Sequence, residues 1–434
     1  MRISRRHARG RSTGKPGMLV MLTVAAASVA VPAAVLAASV HSPAGKDAAP
    51  TPRPAWALHL RHLSHGRPGA IMKPQIGSAT WSVTYPVQLP HGYQTPTGMA
   101  ADILGDGVWL FAQGGTPASP LDTVFYWSNT TAKLDAYQLA ATDPTLQGGA
   151  QTPIAVDADG VAWIGDNKTL ISVNRQTGTI STFDLPDVST ATPGSGLPVP
   201  PPGADAQDFT DIDALAIAPD GSIVVARQFA TELEIFDPST QQASSLPLPE
   251  GTSLAGLGED VASGLGGDIA AVLYAGQGIH ELGQYSSGQW TVSQEPCPAY
   301  AVSMTGTAIA VTGPDCVAVG TVPGGTGPAT MTVQPGSSAY GSESQACAVP
   351  LTTGTVATCS PGGIALAEPG SASATRLGLG RIVSAIPASG QAEGAGAELV
   401  ALPVTPGSMS AGTNGALWFV PAQGGTSIGL LSPA

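Results

Sequence analysis

Side chains able to do chemistry are few and scattered in this chain. It holds seven histidines, and three of them, His59, His62 and His65, stand three residues apart, a spacing that could offer nitrogens to a metal. They fall, however, in a stretch rich in Pro, Ala and Gly, which builds no rigid metal cage by itself, so they read as part of a solvated linker. Beyond residue 76 only His91 and His280 remain. The string Gly425-Thr426-Ser427-Ile428-Gly429 matches a nucleophile elbow, but that device needs a strand-to-helix turn and here the string runs into a strand. Arg376-Leu377-Gly378-Leu379-Gly380 is followed by no helix and is no dinucleotide fingerprint, and there is no phosphate loop. The catalytic residues are unknown at this level, and no reaction is named.

Charge is scarce and unevenly placed. Of 434 residues 11% are charged, against about 25% in ordinary globular domains. Eleven of the 17 Lys and Arg lie in residues 1–73 beside one acid, Asp47, leaving six basic against 29 acidic side chains in the rest, a balance of −23. Such a body repels phosphate backbones, so nucleic acid is excluded as a partner. The 55 Gly and 39 Pro make up roughly a fifth of the chain, below the ~25–30% of low-complexity polypeptide, so a folded body is expected.

The positive end is an address. A basic opening precedes an apolar run from Met18 to Val40. Residues 1–40 therefore form a signal peptide, with Val35-Leu36-Ala37 before the cut, or an uncleaved anchor long enough to span ~30 Å of hydrocarbon. Either way the body lies outside the cytoplasm, and the membrane is met only through this segment. No cysteine follows the run, which excludes a lipid-modified end. Residues 41–76 are the linker, and 77–434 the folded body.

That body repeats. Short apolar strands alternate with turns and polar loops in 96–139, 152–186, 213–249 and 407–434, and more faintly in 255–295, 299–334 and 346–380. The second strand of each unit centres near Trp109, Trp163, Val224, Val272, Ala310, Ala357 and Trp418, at intervals of 38 to 61 residues. Asp106-Gly107, Asp159-Gly160, Asp220-Gly221 and Asn414-Gly415 hold the same place in their units, where they predict tight two-residue hairpins with φ > 0. The Trp after the turn is expected to pack between sheets. Seven units predict an all-β, seven-bladed β-propeller of four-stranded blades. The last unit stops after three strands, and the lone strand at 79–89 is expected to complete it and close the ring, removing two exposed edges.

The four cysteines test this register. In an antiparallel hairpin partners stand equally far from the turn. The midpoint of Cys297 and Cys316 falls on Thr305-Gly306-Thr307, and that of Cys347 and Cys359 on Thr352-Thr353-Gly354. Two disulfides, Cys297–Cys316 and Cys347–Cys359, are expected, each stapling the first hairpin of a blade. A zinc site is a poor alternative, since no histidine lies nearby and the spacings are wrong.

The strings DGVAWIGDNKTLISVNRQTGTISTFDLP (159–186) and NGALWFVPAQGGTSIGLLSP (414–433) resemble the repeat of streptogramin B lyase (virginiamycin B lyase-like) propellers, with their D/N-G-x-x-W turn and strand and a fourth strand ending in Leu-Pro. The resemblance covers the first three units and the last, is thin between them, and is specific for fold rather than activity. It implies a metal-assisted elimination, with a His general acid and Glu or His groups around Mg²⁺. Neither His91 nor His280 stands in a matching motif, so no catalytic residue carries over.

Four or five residues beyond the Trp position, the second strands deliver Gln113, Asn167, Gln228 and Gln423 to the face that carries the loops between second and third strands. Asp166 and Arg227 stand one residue earlier. Side-chain amides both donate and accept hydrogen bonds, which suits a neutral polar ligand such as a glycan or peptide backbone. The long Pro/Gly-rich insertion Asp187 to Thr210 is expected to overhang the same face. The expected protein is an exported, monomeric binding module for a neutral or cationic small molecule, glycan or protein, with no metal and no cofactor. The alternative is a lyase or related hydrolase with Mg²⁺ in the propeller mouth.

Overall fold

The computed structural model describes residues 75–433 apart from 77–78, 103–104, 117–118, 140–151, 200–210, 255–260, 265–267, 277–278, 295–296, 298, 314–315, 323–328, 334–347, 361–362, 368–373, 379, 382–399, 402–403 and 422–425. The chain divides into Met1–Ala57 and Leu58–Ala434, and every described residue belongs to the second unit. The export segment, the three linker histidines, Cys347 and Gln423 thus lie outside the described residues.

The fold is an all-β propeller of four-stranded antiparallel blades. The first blade runs Gly98–Asp102, Gly107–Thr116, Ser119–Ser128, Lys133–Gln138, each strand paired with the next. The second spans strands Ile154–Val156 to Ile180–Asp184 and the third Ile212–Ile217 to Gln242–Pro247. Blades four, five and six end on Gln289–Ser293, Thr330–Val333 and Ala374–Gly378. The fourth carries two short strands, Ser253–Leu254 and Val261–Ser263, side by side where the others have one first strand. All seven expected centres lie on the strands foreseen for them, from Trp109 in Gly107–Thr116 to Trp418 in Leu417–Pro421.

The expected seven equivalent blades are corrected in one respect. Six blades are built from strands consecutive in the chain, whereas the remaining large sheet draws on both ends. In it Val404–Ala411, Leu417–Pro421 and Ser427–Pro433 are followed by Ala79–Gln88, with Val83 opposite Leu431 and Val87 opposite Ile428. An unforeseen strand, Gln75–Ile76, lies outermost and covers its edge. A 3₁₀ turn at Thr413–Gly415 interrupts this sheet.

Apolar residues bury between neighbouring sheets. Trp109, Phe111 and Tyr126 of the first blade meet Ile164 and Val173 of the second, and Trp163 of the second meets Val225 and Phe236 of the third. Equivalent clusters join blades three to four, four to five and five to six. Leu417 and Phe419 of the two-ended sheet pack on Leu351 and Ile364 of the sixth blade, while its Val87, Trp418 and Ile428 pack on Val108 and Leu110 of the first. The tryptophans are core, as expected: Trp109, Trp163 and Trp418 are all buried.

The turns differ from the two-residue form. Val156 pairs with Ala162 and Ile217 with Ile223, so five residues lie between the last paired residues in blades two and three, where only the glycines of the Asp-Gly pairs, Gly160 and Gly221, are left-handed; the expected positive φ is also met at Asp106 and at both Asn414 and Gly415. Asp157 explains the second turn. Its carboxylate accepts the Asp159 and Val161 amides and, through Oδ2, the Trp163 Nε1–H at 2.8 Å, so turn and core tryptophan are tied together. The elbow-like string is a packing device: a Cβ on Gly429 would fall 2.2 Å from the Phe419 ring, and Ser427 Oγ donates to Gln88 Oε1 across the closing pair.

Cys297 and Cys316 form a disulfide with a Cα–Cα distance of 6.0 Å, on the same hairpin axis as the pairs Ala301–Thr312 and Thr305–Ala308. The pair Ala348–Thr358 shares its axis with Cys347 and Cys359, the second expected staple. Replacing Cys297 and Cys316 by serine is expected to cost about 3 kcal/mol of unfolding free energy, read from urea denaturation, because the unfolded chain regains a closed loop. Non-reducing peptide maps should recover Cys347 with Cys359; a Cys316–Cys347 peptide would refute the pairing.

Candidate functional site

The connections between second and third strands define one end of the propeller, and the sequence there repeats in role. In blades one to three the second strand is apolar and buried until its last residues, then turns polar. The Gln113 carbonyl accepts the Gln94 amide, the Asn167 carbonyl accepts the Ile212 amide, and the Gln228 amide donates to Asp211. Three expected amides, Gln113, Asn167 and Gln228, therefore reach the same end in three successive blades, each half-buried. Gln423 lies outside the described residues.

The two charged members are placed differently. Asp166 is buried, opposite Thr169. Arg227 is 1% exposed, and its guanidinium is spent inside the protein: Nη1 donates to the Pro186 carbonyl at 2.9 Å and Nε lies 3.3 Å from Glu234 Oε2. The register causes this. Val225 stands opposite Glu234, so Ile223, Val225 and Arg227 share a face with Phe236 and Glu234, the face buried against the second blade. Burial pushes the Glu234 carboxyl up to about 7 against the pull of Arg227, and burial likewise lowers Arg227 despite the acids around it. The pair is desolvated more than it is satisfied, since neither Glu234 oxygen accepts a hydrogen bond.

Above this pair the insertion forms a strap over residues 187–199. The Ser189 amide donates to Glu232 Oε1, the Thr231 amide donates to the Ser189 carbonyl, and Thr190 bridges Ala230. Val188 enters the apolar cluster between blades three and four. The Gly196 carbonyl comes so near Gly276 that a Cβ there would meet it at 3.3 Å. The strap thus crosses the third blade and reaches the fourth, on the face where it was expected.

Reading by residue type missed an aromatic group at the same end. His280 opens the third strand of blade four, stacked on Tyr300 at 4.6 Å and edge-on to Tyr274 at 5.3 Å. Burial lowers its pKa, partly offset by a backbone hydrogen bond with Ala299, so the ring is neutral at pH 7. The only signal in the sequence was a histidine where other units have ordinary strand residues. His91 is exposed just past the closing strand. Among the described residues no three His, Cys, Asp or Glu side chains gather as a metal would need.

No family model matches the chain, and no curated protein matches it. Solved structures do. The WD40 repeats of RRP9 are 11% identical with a TM-score of 0.53, covering 84% of this chain and 100% of that one. A catalytically inactive virginiamycin B lyase from Staphylococcus aureus, solved with quinupristin, is 12% identical with a TM-score of 0.47, covering 81% and 99%. A streptogramin B lyase is 13% identical with a TM-score of 0.39, covering 82% and 98%. Streptogramin B lyases are thus among the structural neighbours, as the repeat resemblance implied, and at such identities what this chain shares with any of these proteins is the β-propeller fold alone.

Proposed function

We propose that this chain is an exported β-propeller binding module whose ligand seats on the end bearing the amides and the strap. The observation that carries the reading is the division of labour there: the amides of three successive blades stay half-buried at the surface while the charged Asp166 and Arg227 are buried. A face of that kind selects polar, uncharged groups by hydrogen bonding. The two-ended sheet serves as a seventh blade. Support for that count comes from its clusters with both the sixth and the first blade, which leave each sheet packed between two others. Export rests on the basic opening and the apolar run 18–40, and is consistent with a Cys297–Cys316 disulfide, a bond that persists in oxidising compartments.

Metal analysis separates this module from a Mg²⁺-dependent lyase. The purified folded body is expected to carry no stoichiometric divalent ion and to melt at the same temperature with and without EDTA. A bound ion whose removal lowers the melting temperature would favour the lyase alternative.

A further inference from the structure

The turn between second and third strands passes through the left-handed backbone region in three successive blades: at Asn167 (φ 52°), Phe229 (φ 62°) and Gly276 (φ 87°). Two of these are residues that tolerate such a φ. Glycine has no Cβ to clash, and asparagine is several-fold enriched there. Phenylalanine is neither, and a bulky side chain at positive φ is a strained outlier that persists only when something else requires it. The turn itself is ordinary, closed by the Ala230 amide donating to the Arg227 carbonyl at 3.2 Å, so glycine would serve the backbone better.

Packing among the described residues does not account for the phenylalanine. Its side chain is half-buried at the surface. It joins none of the apolar clusters between the described sheets, and among the described residues no aromatic ring lies against it. Its surroundings are those of a binding surface. Gln228 precedes it, and Ala230 and Thr231 behind it hold the strap at Thr190 and Ser189. Asn167 belongs to the same kind of turn in the neighbouring blade, where its carbonyl accepts the amide of Ile212, which pairs with Arg227, two residues before Phe229. Asn167 Oδ1 is itself buried and has no hydrogen-bond partner among the described residues.

We propose that Phe229 is the stacking platform of a neutral glycan subsite on this face, with the Asn167 and Gln228 side chains hydrogen-bonding sugar hydroxyls. The proposal rests on the binding-module reading and names its ligand class. A pyranose ring presents polarised C–H bonds on one face and hydroxyls at its rim. The electron-rich face of an aromatic ring meets the first, and amides, both donor and acceptor, meet the second. Asp187, Asp211 and Glu232 beside the platform disfavour uronic, sialic or phosphorylated sugars. A peptide would be held by strand addition at a sheet edge or by a helix in an apolar groove, and the described loop residues of this end offer neither.

The test is titration calorimetry of the folded body, wild type and variants, against cellohexaose, chitohexaose, maltohexaose and mannohexaose, with neutral Ser-Gly hexapeptides as the comparison. At least one oligosaccharide is expected to bind. Phe229→Gly should weaken that binding tenfold or more while raising the melting temperature, because glycine relieves the backbone. Phe229→Trp should keep affinity within about threefold. Three results would overturn the proposal: no oligosaccharide binding at millimolar concentration, a Phe229→Gly variant that binds normally, or one that melts lower than wild type. Binding of the hexapeptides alone, lost in Phe229→Gly, would replace the glycan by a peptide. A metal-free protein that fails with every sugar loses only this ligand class and remains a module.

Discussion

Arg227→Ala is expected to destabilise the propeller by about 3–5 kcal/mol at pH 8, measured by urea denaturation, and by distinctly less at pH 5. The arginine is 1% exposed and Glu234 3%, and they face each other across the second and third strands of blade three, inside the seam with blade two. Removing the guanidinium leaves a buried carboxylate with no compensating charge, and that cost is largest where the carboxyl is ionised. The wild type carries the same dependence in milder form. Glu234 titrates near 4.5 when unfolded and at about 7 when folded. Because its folded pKa is raised, its contribution is fully present below pH 4.5 and is lost as pH rises through 7, a change on the order of 3 kcal/mol. Glu234→Gln should flatten the stability profile between pH 5 and 8. The double variant Arg227→Met, Glu234→Leu should be at least as stable as wild type, since two desolvated charges are exchanged for apolar contact in an apolar seam. A loss that is the same at pH 5 and pH 8 would show that the arginine acts by packing, with Glu234 no part of its role.

That pair also shows where residue type stops being informative. Strand centres were legible because a buried second strand needs four or five consecutive apolar residues, and Val224, Val272 and Ala310 stand in such runs even where the tryptophan is missing. The disulfide axis was legible because hairpin pairing is symmetric about its turn, so Cys297 and Cys316 had to meet wherever that turn closed. Arg227 was not. A lone arginine at the end of a strand looks solvent-facing, and only the pairing of Val225 with Glu234 reveals that it projects into the seam. Phe229 was equally silent, since backbone handedness at one loop position depends on the turn's closure and leaves no mark in composition. The turn lengths were misjudged because Asp157 supplies side-chain acceptors to the turn backbone, stabilising a five-residue loop that a plain Asp-Gly signal does not specify. The strap was placed on the correct face by its position between blades, but its anchor on Glu232 is a tertiary contact.

The largest expected effect belongs to the closing strand. Deleting residues 79–89 should abolish cooperative unfolding and leave a protein prone to association, as read by thermal melting and size-exclusion chromatography. Ala79–Gln88 contributes the pairs Trp81–Pro433 through Gln88–Ser427, and Val87 and Leu89 are buried in the cluster shared by the two-ended sheet and the first blade. Without them the strand Ser427–Pro433 becomes an edge, with backbone donors and acceptors exposed along seven residues. Burying Val87 and Leu89 is worth roughly 3–6 kcal/mol by itself, and the lost pairing adds to it, so a domain whose whole margin is about 5–15 kcal/mol has little left. The effect also propagates. The first and sixth blades each lose part of what a neighbour covers, whereas a break in an open stack of sheets would stay local. A synthetic peptide spanning 75–90, added in trans, is therefore expected to restore a cooperative melt with a midpoint that rises with peptide concentration, because it binds only the folded form. A deletion variant that melts within a few degrees of wild type would show that the sheets stand as an open arc and that the chain ends only decorate it.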